Sequence, residues 1–161
     1  MRKQKGFSLI ELLIVVAIIL IIAAIAIPNL LRSRIAANES SAVGSIRTIN
    51  TAQVTYSSTY PNVGFANTLG ALGQPAAGAC TAASTSGCLI DATLSVAPNQ
   101  KSGYRFTMGG FSGGTPEVTY NVSGDPVTRG QTGQRSFFSD QSGVIRFNPS
   151  AAATATDPPL Q

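Results

Sequence analysis

The feature that most constrains this chain is an unbroken apolar run near its N-terminus. The sixteen residues 12–27 are all Ala, Ile, Leu or Val, and the apolar character continues to Leu31. At the rise of an α-helix, residues 12–31 span about 30 Å, the thickness of a bilayer core. The run therefore predicts a helix that crosses a membrane.

Basic residues flank this run on its N-terminal side. Arg2, Lys3 and Lys5 precede it, so the positive-inside rule places residues 1–6 in the cytoplasm and everything after Arg32 on the far side. Without these three, the 11 Lys and Arg fall to eight, against seven Asp and Glu. Because the remaining basic residues are scattered, the net charge of +4 gives little support to nucleic-acid binding.

A secretory signal that is removed after the apolar run is the alternative to a retained helix. The run is longer than an ordinary signal core, and residues 29–34 match an Ala-x-Ala cleavage site poorly. We therefore expect the segment to be retained.

The composition excludes several catalytic and metal-binding classes. The chain has no His, which rules out a His-based triad or a His-ligated zinc site, and two Cys cannot hold a four-cysteine metal centre. The Gly-rich residues 109–114 lack the Lys of a P-loop and predict a flexible hairpin loop. With no pairing of a nucleophile with a base, we expect neither an enzyme nor a cofactor.

Glu11 stands directly before the apolar run, where a carboxylate is costly. One interpretation is an acid at a helix start, favoured by the helix dipole and wetted by lipid headgroups. The other is a charge that pairs with a cation supplied by another molecule or by a new amino terminus.

The sequence KGFSLIELLIVVAII at residues 5–19, with AAIAIPN at 23–29, resembles the N-terminal motif of type IV pilins and type II secretion pseudopilins. The resemblance implies that a membrane-embedded prepilin peptidase cuts between Gly6 and Phe7 and that the new Phe7 amine is methylated. It also implies an inner-membrane platform protein and a cytoplasmic assembly ATPase as partners, in a bacterial inner membrane before assembly.

The residues of the motif have physical roles that fit this implication. Gly6 has no side chain, so an extended backbone can enter a protease cleft. Cleavage places a cationic amine at Phe7, four residues from Glu11. In a helical homo-oligomeric filament, the resemblance implies that Glu11 meets the Phe7 amine of a neighbouring subunit, and this pairing sets the axial register. Pro28 removes one backbone donor and predicts a kink.

Beyond Arg32 the pattern predicts a helix with one apolar stripe, followed by a small sheet. The stripe (Ala42, Ile46, Ile49, Ala52, Tyr56 and Tyr60) recurs every three or four residues and ends near Pro61. Alternation around residues 104–108, 118–122, 137–138 and 144–147 predicts four strands, with a hairpin turn at 140–143. The expected class is α+β, a long N-terminal helix packed on a small antiparallel sheet.

These patterns give five expected segments. They are a cleaved leader (1–6), a transmembrane or assembly half of the helix (7–31), an amphipathic half (32–60), an α+β head (61–150) and a flexible tail (151–161).

Two pairs of residues in the head are candidate sites. On the far side of a bacterial membrane, Cys80 and Cys88 are expected to form a disulfide rather than a redox pair, because Cys-x-x-Cys spacing is absent. Asp125 and Asp140 are candidates for a calcium site that major pseudopilins would suggest. Turn formation is the preferred interpretation of both, since two Asp fall short of the oxygen ligands that calcium needs.

The function expected from the sequence is a structural subunit of a type IV pilus, serving adhesion, motility or related surface functions. One alternative is a major pseudopilin of type II secretion, in a periplasmic pseudopilus. Another, of a different class, is a membrane-anchored minor pilin that binds DNA or a surface.

Overall fold

One long helix precedes two short helices and a small sheet. The computed structural model describes residues 6–74 and 78–160. The helices are α1 (Leu9–Thr59), α2 (Leu69–Leu72) and α3 (Ala92–Ser95). The strands are β1 (Gln100–Lys101), β2 (Tyr104–Gly109), β3 (Asn121–Pro126), β4 (Ser136–Asp140) and β5 (Arg146–Asn148). The α+β class predicted from the sequence is confirmed.

The chain divides into two units, one up to Arg34 and one from Ile35 onward, and α1 contributes residues to both. We call the second unit the head. Within it, α1 ends where the sequence predicts, one residue before Tyr60 and two before Pro61.

The core of the head forms where the apolar stripe of α1 meets the sheet and the short helices. Ile46 and Ile49 are completely buried, and Tyr56 is 1% exposed. They belong to one apolar cluster with Phe106 of β2 and Phe137 of β4. The stripe was predicted to form one apolar face of the helix that packs on the sheet. That prediction is confirmed, because the 3.6-residue period places these side chains on one face.

The sheet is antiparallel and runs in chain order, β1-β2-β3-β4-β5. It has five strands where the sequence predicted four, because the two-residue β1 is too short to show an alternating pattern. The predicted turn at 140–143 is present: the Gly143 amide donates to the Asp140 carbonyl (2.9 Å), and Gly143 has a φ of +73°. A positive φ is the reason for glycine at this position.

The strand that was predicted at 118–122 is β3, and it lies later in the chain, at Asn121–Pro126. The Thr119 amide donates to the Glu117 side chain (3.2 Å), so it is not available to a strand ladder. Gly124 fits the middle of the strand because a Cβ there would come within 3.2 Å of Phe106 and 3.3 Å of Ile46. Alternation of apolar residues could not reveal a strand position where a glycine leaves room for neighbouring side chains.

The C-terminal segment 151–161, predicted to be a loose tail, instead lies against the sheet through residue 160, the last one described. The Phe147 amide donates to the Pro158 carbonyl (3.2 Å), and the Leu160 amide donates to the Ile145 carbonyl (2.7 Å). These bonds give partners to the Phe147 amide of the edge strand β5 and to the Ile145 carbonyl just before it. An unattached tail would leave both groups without these partners.

A buried carboxylate ties α1 to the loop that leads into β4. Glu39 is 6% exposed. Its Oε1 accepts from the amides of Gln134 (2.9 Å) and Arg135 (3.0 Å), and its Oε2 accepts from Arg135 Nε (2.8 Å). Burial raises the pKa of Glu39, but these hydrogen bonds and the Arg135 charge outweigh it, so the pKa lies below its ordinary value of 4.5.

We expect Glu39→Gln to lower the free energy of unfolding of the head by about 1 to 3 kcal/mol, the range for hydrogen bonds to charged groups. Denaturation of the full chain in non-ionic detergent, followed by near-UV circular dichroism of the tyrosines, measures this. Asp125→Asn, which removes a carboxylate of β3 in the same head, is the control and should cost clearly less.

The difference in unfolding free energy between the wild type and Glu39→Gln should decrease as the pH falls. A carboxyl with a lowered folded-state pKa stabilises the fold above its unfolded pKa and loses that contribution as pH falls through the folded pKa. The stability gap between the wild type and Glu39→Gln should be constant near pH 7 and shrink below about pH 4.3. A gap that is unchanged at pH 2 would contradict the assignment.

Candidate processing and assembly segment

The first unit presents apolar side chains on every side of its helix. We call residues 6–31 the assembly segment. Its large hydrophobic residues range from 44% exposed at Leu31 to 85% exposed at Phe7. By length and composition α1 can cross a membrane. Such a surface is not stable in water, so it requires lipid or other protein chains around it.

Glu11 accepts a hydrogen bond from the chain that precedes α1. The Ser8 amide donates to Glu11 Oε2 (2.9 Å), and the Leu12 amide donates to the Ser8 carbonyl (3.2 Å). This is the reciprocal bond of a capping box, in which an acid in the first turn reaches back to the N-cap amide. The helix-start role that the sequence allowed is therefore present, and one carboxylate oxygen already has a protein donor.

Gly6 and Phe7 lie before α1 in non-helical backbone. A Cβ built on Gly6 would meet nothing within 4 Å, so the space around it is open. The rest of the predicted leader, with Arg2, Lys3 and Lys5, lies outside the described residues. Cleavage between Gly6 and Phe7 stays a prediction.

Pro28 lies inside α1. It lacks the amide hydrogen that an interior helical residue donates to the preceding turn. That position therefore has one helical hydrogen bond fewer, and the kink stays a prediction.

The predicted disulfide joins Cys80 and Cys88, with their Cα atoms 6.0 Å apart. The loop that it closes is also tied to the head. The Tyr56 hydroxyl donates to the Ser84 carbonyl (2.5 Å), and the Ser86 hydroxyl donates to the Gly73 carbonyl (3.0 Å). The disulfide therefore closes a loop that already contacts the end of α1 and the region after α2.

The two candidate calcium ligands lie in different parts of the sheet. Asp140 is opposite Asn121, and Asp125 is opposite Arg105, four residues further along β3. At the rise of a strand this separation is about 13 Å, too far for both carboxylates to bind one ion. Asp140 instead accepts from the Ser142 amide (2.9 Å), as a turn residue does.

Three buried polar side chains of the head were not predicted as sites. Glu39 and Gln53 lie on the buried face of α1, and the Gln53 amide exchanges two hydrogen bonds of 2.9 Å with the Ala66 backbone. Glu39 lies three residues before Ala42, and Gln53 lies three residues before Tyr56. This helical spacing from the apolar stripe could have predicted that both side chains are buried. Glu117 is 8% exposed in a loop, and no periodicity marks it.

We expect the wild-type chain to resist alkylation of Cys80 and Cys88 until a reductant is added. Loss of the bridge in a Cys80→Ser and Cys88→Ser double variant should lower head stability by about 2 to 3 kcal/mol, as for a short closed loop. Mass spectrometry of alkylated chains and denaturation in non-ionic detergent measure the two effects. Free thiols in freshly isolated wild-type protein would contradict the structural role.

Comparison with known proteins finds similarity over part of the chain. The model of the prokaryotic N-terminal methylation motif matches residues 1–27. The type IV wide pilus major component PilA4 of Thermus thermophilus is 65% identical over 40 residues, which are 25% of this chain and 30% of that protein. The type IV major pilin protein PilA of Myxococcus xanthus is 44% identical over 69 residues, 42% of this chain and 31% of that protein.

A secretion protein is similar as well. The type II secretion system core protein G of Vibrio cholerae is 41% identical over 64 residues, 38% of this chain and 44% of that protein. The chain thus spans less than half the length of each of these relatives, and no solved structure matches it. Over its matched part, the chain is therefore similar to two type IV pilins and to a type II secretion core protein, and residues 1–27 match the methylation motif.

Proposed function

We propose that this chain is a type IV pilin precursor that is cleaved between Gly6 and Phe7, methylated at Phe7 and polymerised into a pilus. The observation that carries the proposal is the exposure of apolar side chains on all sides of α1 in the assembly segment, directly after Gly6 and Phe7. In a filament, the same surface on neighbouring copies replaces lipid as its apolar surroundings. A structural subunit needs no catalytic residues.

The sequence of events follows from where apolar surface can be buried. Before assembly, the membrane holds residues 7–31, with the leader in the cytoplasm and the head outside. A prepilin peptidase with methyltransferase activity processes the chain. A platform protein and an assembly ATPase then supply the work of extracting the segment from lipid, which is unfavourable for an apolar helix by itself.

Glu11 selects the position of the incoming subunit in this proposal. A carboxylate that enters an apolar bundle needs partners, and the Ser8 amide is one donor to the Glu11 side chain. The methylated amine of Phe7 on a neighbouring copy is a cation that cleavage creates. Pairing of the two favours one axial register over its neighbours.

A second candidate is a pseudopilin of type II secretion, because the match to core protein G covers a larger share of that relative than the matches to the two pilins cover of theirs. Filament length separates the two. A type IV pilus extends from the cell surface and can be sheared off, whereas a pseudopilus stays in the periplasm. Electron microscopy of sheared filaments, with mass spectrometry of their subunit, therefore tests the first candidate against the second.

We expect mass spectrometry of the mature subunit to find Phe7 as its first residue, with one methyl group on its amine. Gly6→Trp should abolish processing because a bulky side chain fills the space beside the scissile bond. Gly6→Ala is the control and should retain most of the cleavage. A mature chain beginning after Ala26 would overturn the proposal and indicate an ordinary secreted protein.

We expect Glu11→Ala to insert and be cleaved normally but to give at least tenfold fewer filaments when it is the only copy. Removing a charge eases insertion, since it lowers the cost of burying the segment. Glu11→Gln keeps an acceptor for the Ser8 amide but has no charge. Equal defects in both variants indicate ion pairing. A normal filament yield from Glu11→Ala would leave Glu11 with the capping role alone.

A further inference from the structure

The head contains a cleft whose lining residues all belong to the second unit. It has a volume of about 520 Å³ and lies where the end of α1, the segment after it, the disulfide loop and the loop between β2 and β3 meet. Val63, Phe65 and Phe111 line its apolar part, and Asn67, Ser84 and Glu117 line its polar part. A concave site with aromatic walls and a few polar groups is typical of small-molecule binding.

The two phenylalanines provide aromatic surface to the cleft. Phe65 and Phe111 are both partly exposed. The ring of Phe65 is held by the buried Tyr120 in an edge-to-face pair, with centroids 4.8 Å apart and planes at 63°. This contact fixes the orientation of one wall, so the cleft does not depend on a freely rotating side chain.

Glu117 gives the cleft a fixed negative charge. Its Oε1 accepts from the Ser112 amide (2.7 Å) and the Thr119 amide (3.2 Å), and its Oε2 accepts from the Gly113 amide (2.9 Å). The Ser112 hydroxyl also donates to it (2.5 Å), and these bonds lower the pKa of Glu117 to about 2. The carboxylate is therefore ionised across the physiological pH range.

No basic side chain within the described part of the head balances this charge. The residues that line the cleft include no Lys or Arg. Over residues 6–74 and 78–160, the salt bridges join Lys101 to Asp91 and Arg135 to Glu39, and neither involves Glu117. A ligand that enters the cleft therefore meets aromatic surface and one carboxylate that no described basic side chain pairs with.

We propose that this cleft binds a small organic cation, whose ammonium group lies against Phe65 and Phe111 on the side of Glu117. The negative face of an aromatic ring attracts a cation, and a nearby carboxylate adds to that attraction. An anionic ligand is disfavoured by Glu117, and a neutral one lacks the attraction of a cation to the carboxylate and the rings. None of the residues that line the cleft belongs to the assembly segment, so the proposal is tested separately from the filament function.

The direct test compares ligands of the same shape and different charge. The full chain, with ¹³C-labelled phenylalanine rings and in non-ionic detergent, is titrated with choline chloride and with 3,3-dimethylbutan-1-ol, the uncharged isostere of choline. We expect choline to shift the Phe65 and Phe111 signals and to bind at least about threefold more tightly than the alcohol. Equal binding of the two, or shifts confined to other phenylalanines, would overturn the proposal.

A third ligand separates two sources of the ammonium group. N-acetyl-lysine N-methylamide carries a primary ammonium, as a peptide does, whereas choline carries a quaternary one. Tighter binding of the lysine derivative indicates a peptide side chain, and tighter binding of choline indicates a quaternary metabolite or headgroup. Failure of both to shift the two ring signals contradicts the site.

Two variants assign the contributions of charge and ring. Glu117→Gln should weaken choline binding at least about threefold, whereas Asp140→Asn, which removes a carboxylate outside the cleft, should not.

Since Glu117 also accepts hydrogen bonds that hold its loop, Phe111→Leu provides a second test that leaves those bonds in place. It keeps apolar volume but removes the ring, and should weaken choline binding while leaving that of the alcohol nearly unchanged. Unaltered choline affinity in Phe111→Leu would refute the aromatic contact.

Discussion

Burial of one stripe of α1 is the interaction on which the head depends. Ile46 and Ile49 are fully buried, and each such side chain contributes about 1.5 to 3 kcal/mol when removed from water. The sheet accommodates the stripe closely, since Gly124 lies where a Cβ would crowd Ile46. The same burial requires partners for polar groups on that face, and Glu39 and Gln53 each have them.

The assembly segment is also helical from Leu9 onward, but its large apolar side chains are exposed rather than buried. Its apolar residues surround the helix, so no single face can be buried against a sheet, and the whole surface requires a non-aqueous environment. Glu11 begins this segment with its carboxylate bonded to the Ser8 amide. A bond of this kind lowers the cost of placing a carboxylate at the start of an apolar helix.

The head uses its few carboxylates to organise loops. Glu39 accepts from two amides before β4, Glu117 accepts from three amides in the loop between β2 and β3, and Asp157 accepts from the Thr154 amide in the C-terminal segment. In each case the bonds lower the pKa of the carboxyl group, so the charge persists at neutral pH.

The sequence by itself determined the features that depend on local pattern: the apolar segment, the stripe of α1, the turn that ends at Gly143 and the pairing of the cysteines. It did not determine the position of β3, the attachment of the C-terminal segment, or the contacts of Glu39 and Glu117. These depend on residues that are distant in the chain, such as the 96 positions between Glu39 and Arg135. Periodicity reports which face of an element is buried, whereas only the tertiary structure decides which loop amides reach a carboxylate.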